Sequence, residues 1–387
     1  MNDNQPQHAA FGASNAKRRM SCPGSMNAEA KFPDTSSPYA ELGTAAHELG
    51  EHCLLEDVEF ANSMHGETFN GHVVDDNMSG AVQVYLDAIR SIRDLEGSHI
   101  FGVERRFSLE YLDPPIPMFG TADCVIYGRE TGNLYIIDYK HGQGVAVEVP
   151  NNAQLKYYAL GAVLKLGDKA PIKSVITVVV QPRASHRDGS VREWTYTKDE
   201  ILDFGTDLID AAYAATKADA PLIAGDHCKF CKASGSCPAL RSTALAVAQD
   251  EFGAIVPMAD ITPDEVGDYL TKIDLLEEWI KALRKHAYNL LETGQPVPGY
   301  KLVEKRPTRR WKNQEEVAEW AALEGLDDDD LYEKKLKSPA QLEEVVGKKN
   351  LPATLVMSVS TGLSMVNDND ARPPAALLAA DEFTVTE

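Results

Sequence analysis

YIIDYKHG, residues 135–142, places an aspartate and a lysine two positions apart at the end of an apolar run. Tyr135, Ile136 and Ile137 read as a buried strand. Strand side chains repeat with period two, so Asp138 and Lys140 project to one face. Taken alone, the pair is an ordinary ion pair at a strand end. The sharper reading is half of a metal-dependent phosphodiesterase site. Upstream, Asp123 stands in GTADCVIYG, residues 120–128, a second strand-like run. The ETGN stretch at 130–133 reads as a hairpin turn, which brings Asp123 and Asp138 together across one ladder. Two carboxylates held close repel unless a cation lies between them. Mg²⁺ or Mn²⁺ suits such a site, because hard ions prefer carboxylate and water oxygens. Lys140 then stands where it orients an attacking water or stabilises charge on phosphate.

Two helical segments extend the constellation. TAAHELGEHCLLEDV, residues 44–58, reads as a helix with Thr44 as its N-cap. His47 and Glu51 share one of its faces, and imidazole suits Mn²⁺. NAQLKYYALGAVLKL, residues 152–166, reads as an amphipathic helix on which Gln154 and Tyr158 share a face. Gln154 is placed to bond the water or Lys140, and Tyr158 to touch a phosphate. The plainer alternative is a helix face packed on the sheet. Taken in order, GTAAH, GTADCV, IIDYK and QLKYY resemble the PD-(D/E)XK nuclease superfamily and, within it, the RecB-like branch. The matching positions are His47, Asp123, Asp138, Lys140, Gln154 and Tyr158, with Ala122 where a proline often precedes the aspartate. The resemblance covers roughly residues 20–240. It implies an α/β, restriction-endonuclease-like core, a central mixed sheet flanked by helices. His47, Asp123 and Asp138 would hold the metal, Lys140 would activate water, and Gln154 and Tyr158 would support it.

Six cysteines in a chain without an apolar signal core are not read as disulfide staples. Cys228, Cys231 and Cys237 are clustered, and a tetrahedral zinc or a cubane cluster needs a fourth ligand. Cys22 is the candidate, since Cys53 in a helix and Cys124 beside Asp123 read as small buried hydrophobes. One cysteine before the core and three after it resembles the iron–sulfur RecB-like nucleases, which include AddB-type helicase–nucleases and CRISPR-adaptation exonucleases. That resemblance implies a [4Fe–4S] cluster fastening the chain ends, with structural Zn²⁺ as the alternative. Pro23 and Pro238, which follow the first and last of the four, favour iron.

The chain has 387 residues and a formal net charge of -21, which excludes a general basic coat for nucleic acid but not a local basic groove. No stretch has membrane-spanning length, so a cytoplasmic protein without a membrane partner is expected. Residues 1–20 read as a flexible N-terminus, 21–240 as the nuclease domain, 241–364 as a mainly helical region and 365–387 as a disordered tail. Within the third part, helices are expected at 262–294, 313–324 and 338–347. KLVEKRPTRRWK, residues 301–312, is basic, and Arg309, Arg310 and Trp311 are candidate DNA contacts, with Trp311 as a stacking platform. The expected function is a metal-dependent deoxyribonuclease, most specifically an exonuclease on single-stranded ends. Phage or bacterial replication, recombination or repair, with proteins of those processes as partners, is the context that the resemblance implies. The alternatives are a non-cleaving DNA-binding protein and a zinc-stabilised scaffold on the same fold.

Overall fold

The computed structural model describes residues 9–33, 37–97, 100–143, 145–184, 186, 188–252, 262–305, 308–331, 339, 342, 352, 355–359 and 363–367. The chain opens with a 3-10 turn at Ala13–Asn15, then α1 (Ala16–Ser21), α2 (Ser25–Glu29) and α3 (Pro38–Leu55). Residues 9–20 are packed, not flexible as expected. Phe11 and Ala16 are fully buried in the core. The polar residues that made the segment look mobile are paired: Arg19 Nη1 lies 2.7 Å from Glu29 Oε2. Helix α3 starts earlier than expected. Ser37 caps it by accepting from the Ala40 N–H at 3.2 Å, and Pro38 stands in the first turn. Thr44 is therefore internal, its hydroxyl bonded back to the Ala40 carbonyl.

A short ribbon of β1 (Thr68–Phe69) and β2 (His72–Val73) precedes α4 (Asp76–Leu95). The main sheet follows from β3 (Ile100–Ser108), β4 (Phe119–Tyr127), β5 (Asn133–Tyr139), β6 (Ser174–Val180) and β7 (Val191–Tyr196), in that spatial order. All neighbours are antiparallel except β5 and β6. Parallel strands need a crossover, and α5 (Ala153–Leu166) supplies it. The 130–133 turn closes as expected, with Tyr127 opposite Leu134 and Gly132 at φ +79. The edge strand β7 was not anticipated, because its exposed, mixed VREWTY lacks a continuous apolar run.

Helix α6 (Lys198–Ala215), with α1 and α5, covers one sheet face, where Val125, Ile136, Leu160 and Leu208 are buried. Helices α3 and α4 cover the other, through Leu49, Val82, Ile137 and Val178. The fold is thus α/β, a five-stranded mixed sheet between two helical layers.

Next come α7 (Pro238–Phe252) and α8 (Pro263–Glu292). The chain divides into two compact units, Met1–Ile280 and Lys281–Glu387. The division falls inside α8, not near residue 240, and Leu240 and Ala244 of α7 are buried. The second unit carries β8 (Tyr300–Glu304), β9 (Thr308–Trp311), α9 (Gln314–Leu323), α10 (Asp328–Leu331), β10 (Val356–Val359) and β11 (Leu363–Asn367). Strand β10 pairs with β9 and β11 with β8. The described residues of 241–364 are mainly helical, as expected, but the four short strands were not anticipated, and residues 363–367 are a strand where a disordered tail was expected from 365. The basic residues between 300 and 311 obscured the short buried pair Leu302–Val303. The helix expected at 338–347 falls almost wholly outside the described residues, as does the chain beyond 367. Among the described residues, no helix is long and apolar enough to cross a membrane.

Candidate metal centre

The β4–β5 ladder stops at Cys124 opposite Ile137. One step further, the Tyr139 N–H donates to Asp123 Oδ2 at 2.7 Å. The side chain thus takes the place of a ladder carbonyl, and the strands part to leave Asp123 and Asp138 lining one cavity of about 480 Å³. Asp138 is engaged by Lys140, whose Nζ lies 3.1 Å from Oδ1 and 2.9 Å from Oδ2. The same ammonium donates to Gln154 Oε1 at 3.2 Å. Gln154 Nε2 donates in turn to the Tyr158 hydroxyl at 3.0 Å. Helix α5 begins where this chain needs it, because Asn152 caps it by accepting from the Gln154 and Leu155 N–H groups. Gly120 lies under Tyr158: a Cβ there would meet Tyr158 Cε1 at 2.9 Å, so only glycine lets the ring settle.

Helix α3 brings His47 to the opposite wall. Its Nδ1 lies 3.5 Å from Asp123 Oδ2 and 3.9 Å from Glu104 Oε1. The ring stands edge-on to Tyr139, centroids 5.3 Å apart. Ligand atoms of His47, Glu104 and Asp123 all fall within 4.8 Å of one another, a group that could hold a metal ion. Glu104 was not singled out in the sequence. It stands at φ +45, a left-handed backbone that a non-glycine residue adopts at a cost. Its neighbours Val103 and Arg105 pair with Cys124 and Ala122, so Glu104 stands opposite Asp123. The only sequence signal was an acid in a strand-like run antiparallel to the Asp123 strand.

The charge balance points to a cation. Burial first, then the charges of Asp123, Glu51 and Asp138, push Glu104 up to about 8. Burial likewise raises Asp123, with Asp138 adding to it and His47 opposing. Burial works against the Lys140 ammonium, yet Asp138 and Asp123 outweigh it and hold its pKa above the ordinary value. Glu48 and Glu51 also line the cavity. One lysine cannot compensate so many carboxylates, whereas a divalent ion on His47, Glu104 and Asp123 can. The mixture of imidazole and carboxylate fits Mn²⁺ or Mg²⁺. Asp138 lines the same cavity but is not one of the compact group of three; it is the acid paired with Lys140.

The segments that carry Cys22 and Cys228–Cys231 meet in the fold. Cys22 Sγ accepts from the Ile223 N–H at 3.2 Å, across 201 positions of sequence. Arg18 donates to the Phe230 carbonyl, and Glu29 accepts from the Lys232 N–H. Gly24 presses so closely on residues 220 and 221 that a Cβ would lie 2.5 Å from the Ala220 oxygen. The Cys22 segment is thereby tied to the segment bearing Cys228 and Cys231. Among the described residues, the cysteine sulfurs do not form a compact ligand group like that of His47, Glu104 and Asp123. Cys53 and Cys124 are fully buried, and both belong to the apolar cluster beneath α3 and α4.

In the second unit, Arg309 and Arg310 lie on β9, which pairs with β10. Trp311 packs, half-buried, against a small core of Val317, Ala321, Leu331, Leu342 and Leu355.

A solved structure titled "Crystal structure of SSO0001" is similar over 60% of this chain and 98% of that one, at 14% identity and a TM-score of 0.24, which is too low to carry an argument. Residues 8–373 match the family described as "Protein of unknown function (DUF2800)", and the chain belongs to that family.

Proposed function

We propose that the protein is a Mg²⁺- or Mn²⁺-dependent phosphodiesterase that cuts DNA, of the PD-(D/E)XK type and RecB-like branch. The observation that carries this reading is the meeting, in one cavity, of a His47–Glu104–Asp123 ligand group and an Asp138–Lys140–Gln154–Tyr158 hydrogen-bonded chain. A metal bound there would supply Lewis acidity at a phosphoryl oxygen and lower the pKa of a water. Lys140, held by Asp138 and Gln154, would offer a half-buried positive charge to the negative charge that grows on the phosphate. Gln154 and Tyr158 fix the ammonium without competing for its charge. Within this reading, single-stranded ends are the substrate and replication, recombination or repair is the setting, with a [4Fe–4S] cluster or Zn²⁺ on Cys22, Cys228, Cys231 and Cys237 as a structural staple. Incubating the protein with single- and double-stranded DNA and Mn²⁺ or Mg²⁺ tests the proposal. Cleavage by the parent, its loss with chelator, and its loss in Asp138→Asn and Lys140→Met support it. Parental cleavage rates in both variants would overturn the site assignment.

A further inference from the structure

The cavity is poor in cations for a site that would meet a polyanion. Among its described lining residues, Lys140 is the one lysine or arginine, while Glu48, Glu51, Glu104, Asp123 and Asp138 are acids. A metal and Lys140 can neutralise one phosphate. A nucleic-acid strand carries another on each neighbouring nucleotide, and these would face the acidic walls uncompensated.

Along β4, the cavity is lined by Phe119, Gly120, Thr121 and Asp123. Thr121 lies two residues from Asp123, a step of about 6.6 Å along a strand. Its register partner on β3 is Arg106, so the two side chains share a face. The Arg106 guanidinium sits over the Phe119 ring, its carbon 3.7 Å from the centroid. Arg106 is exposed and makes no ion pair among the described residues. A guanidinium held on an aromatic face keeps its N–H donors at the edge, where they fork onto phosphate oxygens. Six covalent bonds separate adjacent phosphorus atoms of a sugar–phosphate chain, a span of the same order as that two-residue step.

We propose that Arg106, seated on Phe119 beside Thr121, grips the phosphate adjacent to the one at the metal centre, and so makes the substrate a polynucleotide rather than a mononucleotide or small diester. This rests on the phosphodiesterase reading. Arg106 is a binding residue here and touches no reacting atom. Thr121 offers a hydroxyl to the same phosphate.

The test measures binding of a fluorescent thymidine oligonucleotide, with Ca²⁺ in place of Mn²⁺, across a range of salt. Arg106→Gln should bind about five- to tenfold more weakly than the parent. The slope of log affinity against log salt should fall by about 0.7, the value for one phosphate contact on a single strand. Arg106→Lys should recover the slope, and Mn²⁺ affinity measured calorimetrically should stay at the parental value in both variants. An unchanged slope in Arg106→Gln overturns the proposal. So does a loss of Mn²⁺ affinity with no rescue by lysine, which makes Arg106 a support of the cavity, and so does a parent that shows no salt-dependent binding. The same samples with Mn²⁺ separate the two ideas: a parent that binds but does not cleave removes the phosphodiesterase reading, while the slope still decides Arg106.

Discussion

Glu104 concentrates the electrostatics of the site in one residue. Burial and the neighbouring Asp123 raise it from an ordinary 4.5 to about 8. A folded-state pKa above the unfolded one means the native protein holds the proton more tightly. The associated stability is complete below about pH 4.5 and is lost as pH rises through about 8. The metal-free protein should therefore melt at a lower temperature at pH 8.5 than at pH 5, with other carboxylates adding their own slopes. Saturating Mn²⁺ should raise the melting temperature more at the higher pH, because the ion replaces the lost proton. Scanning calorimetry with and without Mn²⁺ checks this, and an increment equal at both pH values would contradict it. The same linkage makes Mn²⁺ compete with the Glu104 proton, so affinity should rise with pH up to about 8 and then level. Glu104→Gln should weaken Mn²⁺ by roughly tenfold or more, within the range for lost metal-site contacts, and should flatten that pH dependence. Calorimetric titration of the variant at two pH values measures both effects. Asp138 and Lys140 were legible in the sequence because period two acts within five residues of chain. Glu104 was not, since its role depends on a register with Asp123 and on a left-handed backbone that no local pattern announces.

At the scale of elements, the site is a meeting of three structures: the parted ends of β4 and β5, the first turn of α5, and α3 from the other layer. The first two were readable. A hairpin turn and a capped helix are local, and their side-chain periods fix which residues align. The third needed the packing of α3 on the sheet, yet His47 was found because the short motifs fell in a familiar order. The N-terminal segment was misread for the opposite reason. Its composition is polar, but its few apolar residues are placed where they matter. Phe11 is fully buried, and its carbonyl accepts from the Tyr157 hydroxyl at 3.2 Å. Ala9, Gly12, Ala13 and Ser14 wall the cavity that His47, Glu104 and Asp123 line. Phe11→Ala should cost about 3–5 kcal/mol, the usual range for emptying a buried phenylalanine site. Because the cavity wall is built on this anchor, Mn²⁺ affinity should drop as well. Denaturant unfolding and metal titration of this variant measure the two effects. A loss under 1 kcal/mol would mean that residues 9–15 contribute little to the core.

For the whole molecule, the consequential feature is how the first unit holds its two ends. Residues 18–29 meet residues 220–232 through Arg18, Cys22, Gly24 and Glu29, all local groups acting across some 200 positions. The Arg19–Glu29 pair is buried on both sides, so it is firm only while both partners are present. A metal or cluster on Cys22, Cys228, Cys231 and Cys237 would convert this contact into a closed loop of more than 200 residues. Closing a loop of that length restricts the unfolded chain by on the order of 5 kcal/mol in the chain-entropy description. Burial, with the nearby Glu29 charge adding to it, pushes the Cys231 thiol up to about 12, so without a metal it stays protonated and inert. A bound ion would reverse that, and loading should release protons. Cys22→Ser should therefore lose iron or zinc, whichever the parent carries, and unfold at markedly lower denaturant. Cys53→Ser should keep the parental metal content, because Cys53 is enclosed by apolar neighbours under α3. Metal analysis of anaerobically purified protein, followed by denaturation of each variant, measures both. Full metal in Cys22→Ser would remove Cys22 from the ligand set. The hydrogen bonds to Ile223, Phe230 and Lys232 would then be what joins the ends, and Glu29→Gln, which breaks that network at its charged centre, should become the more damaging of the two substitutions.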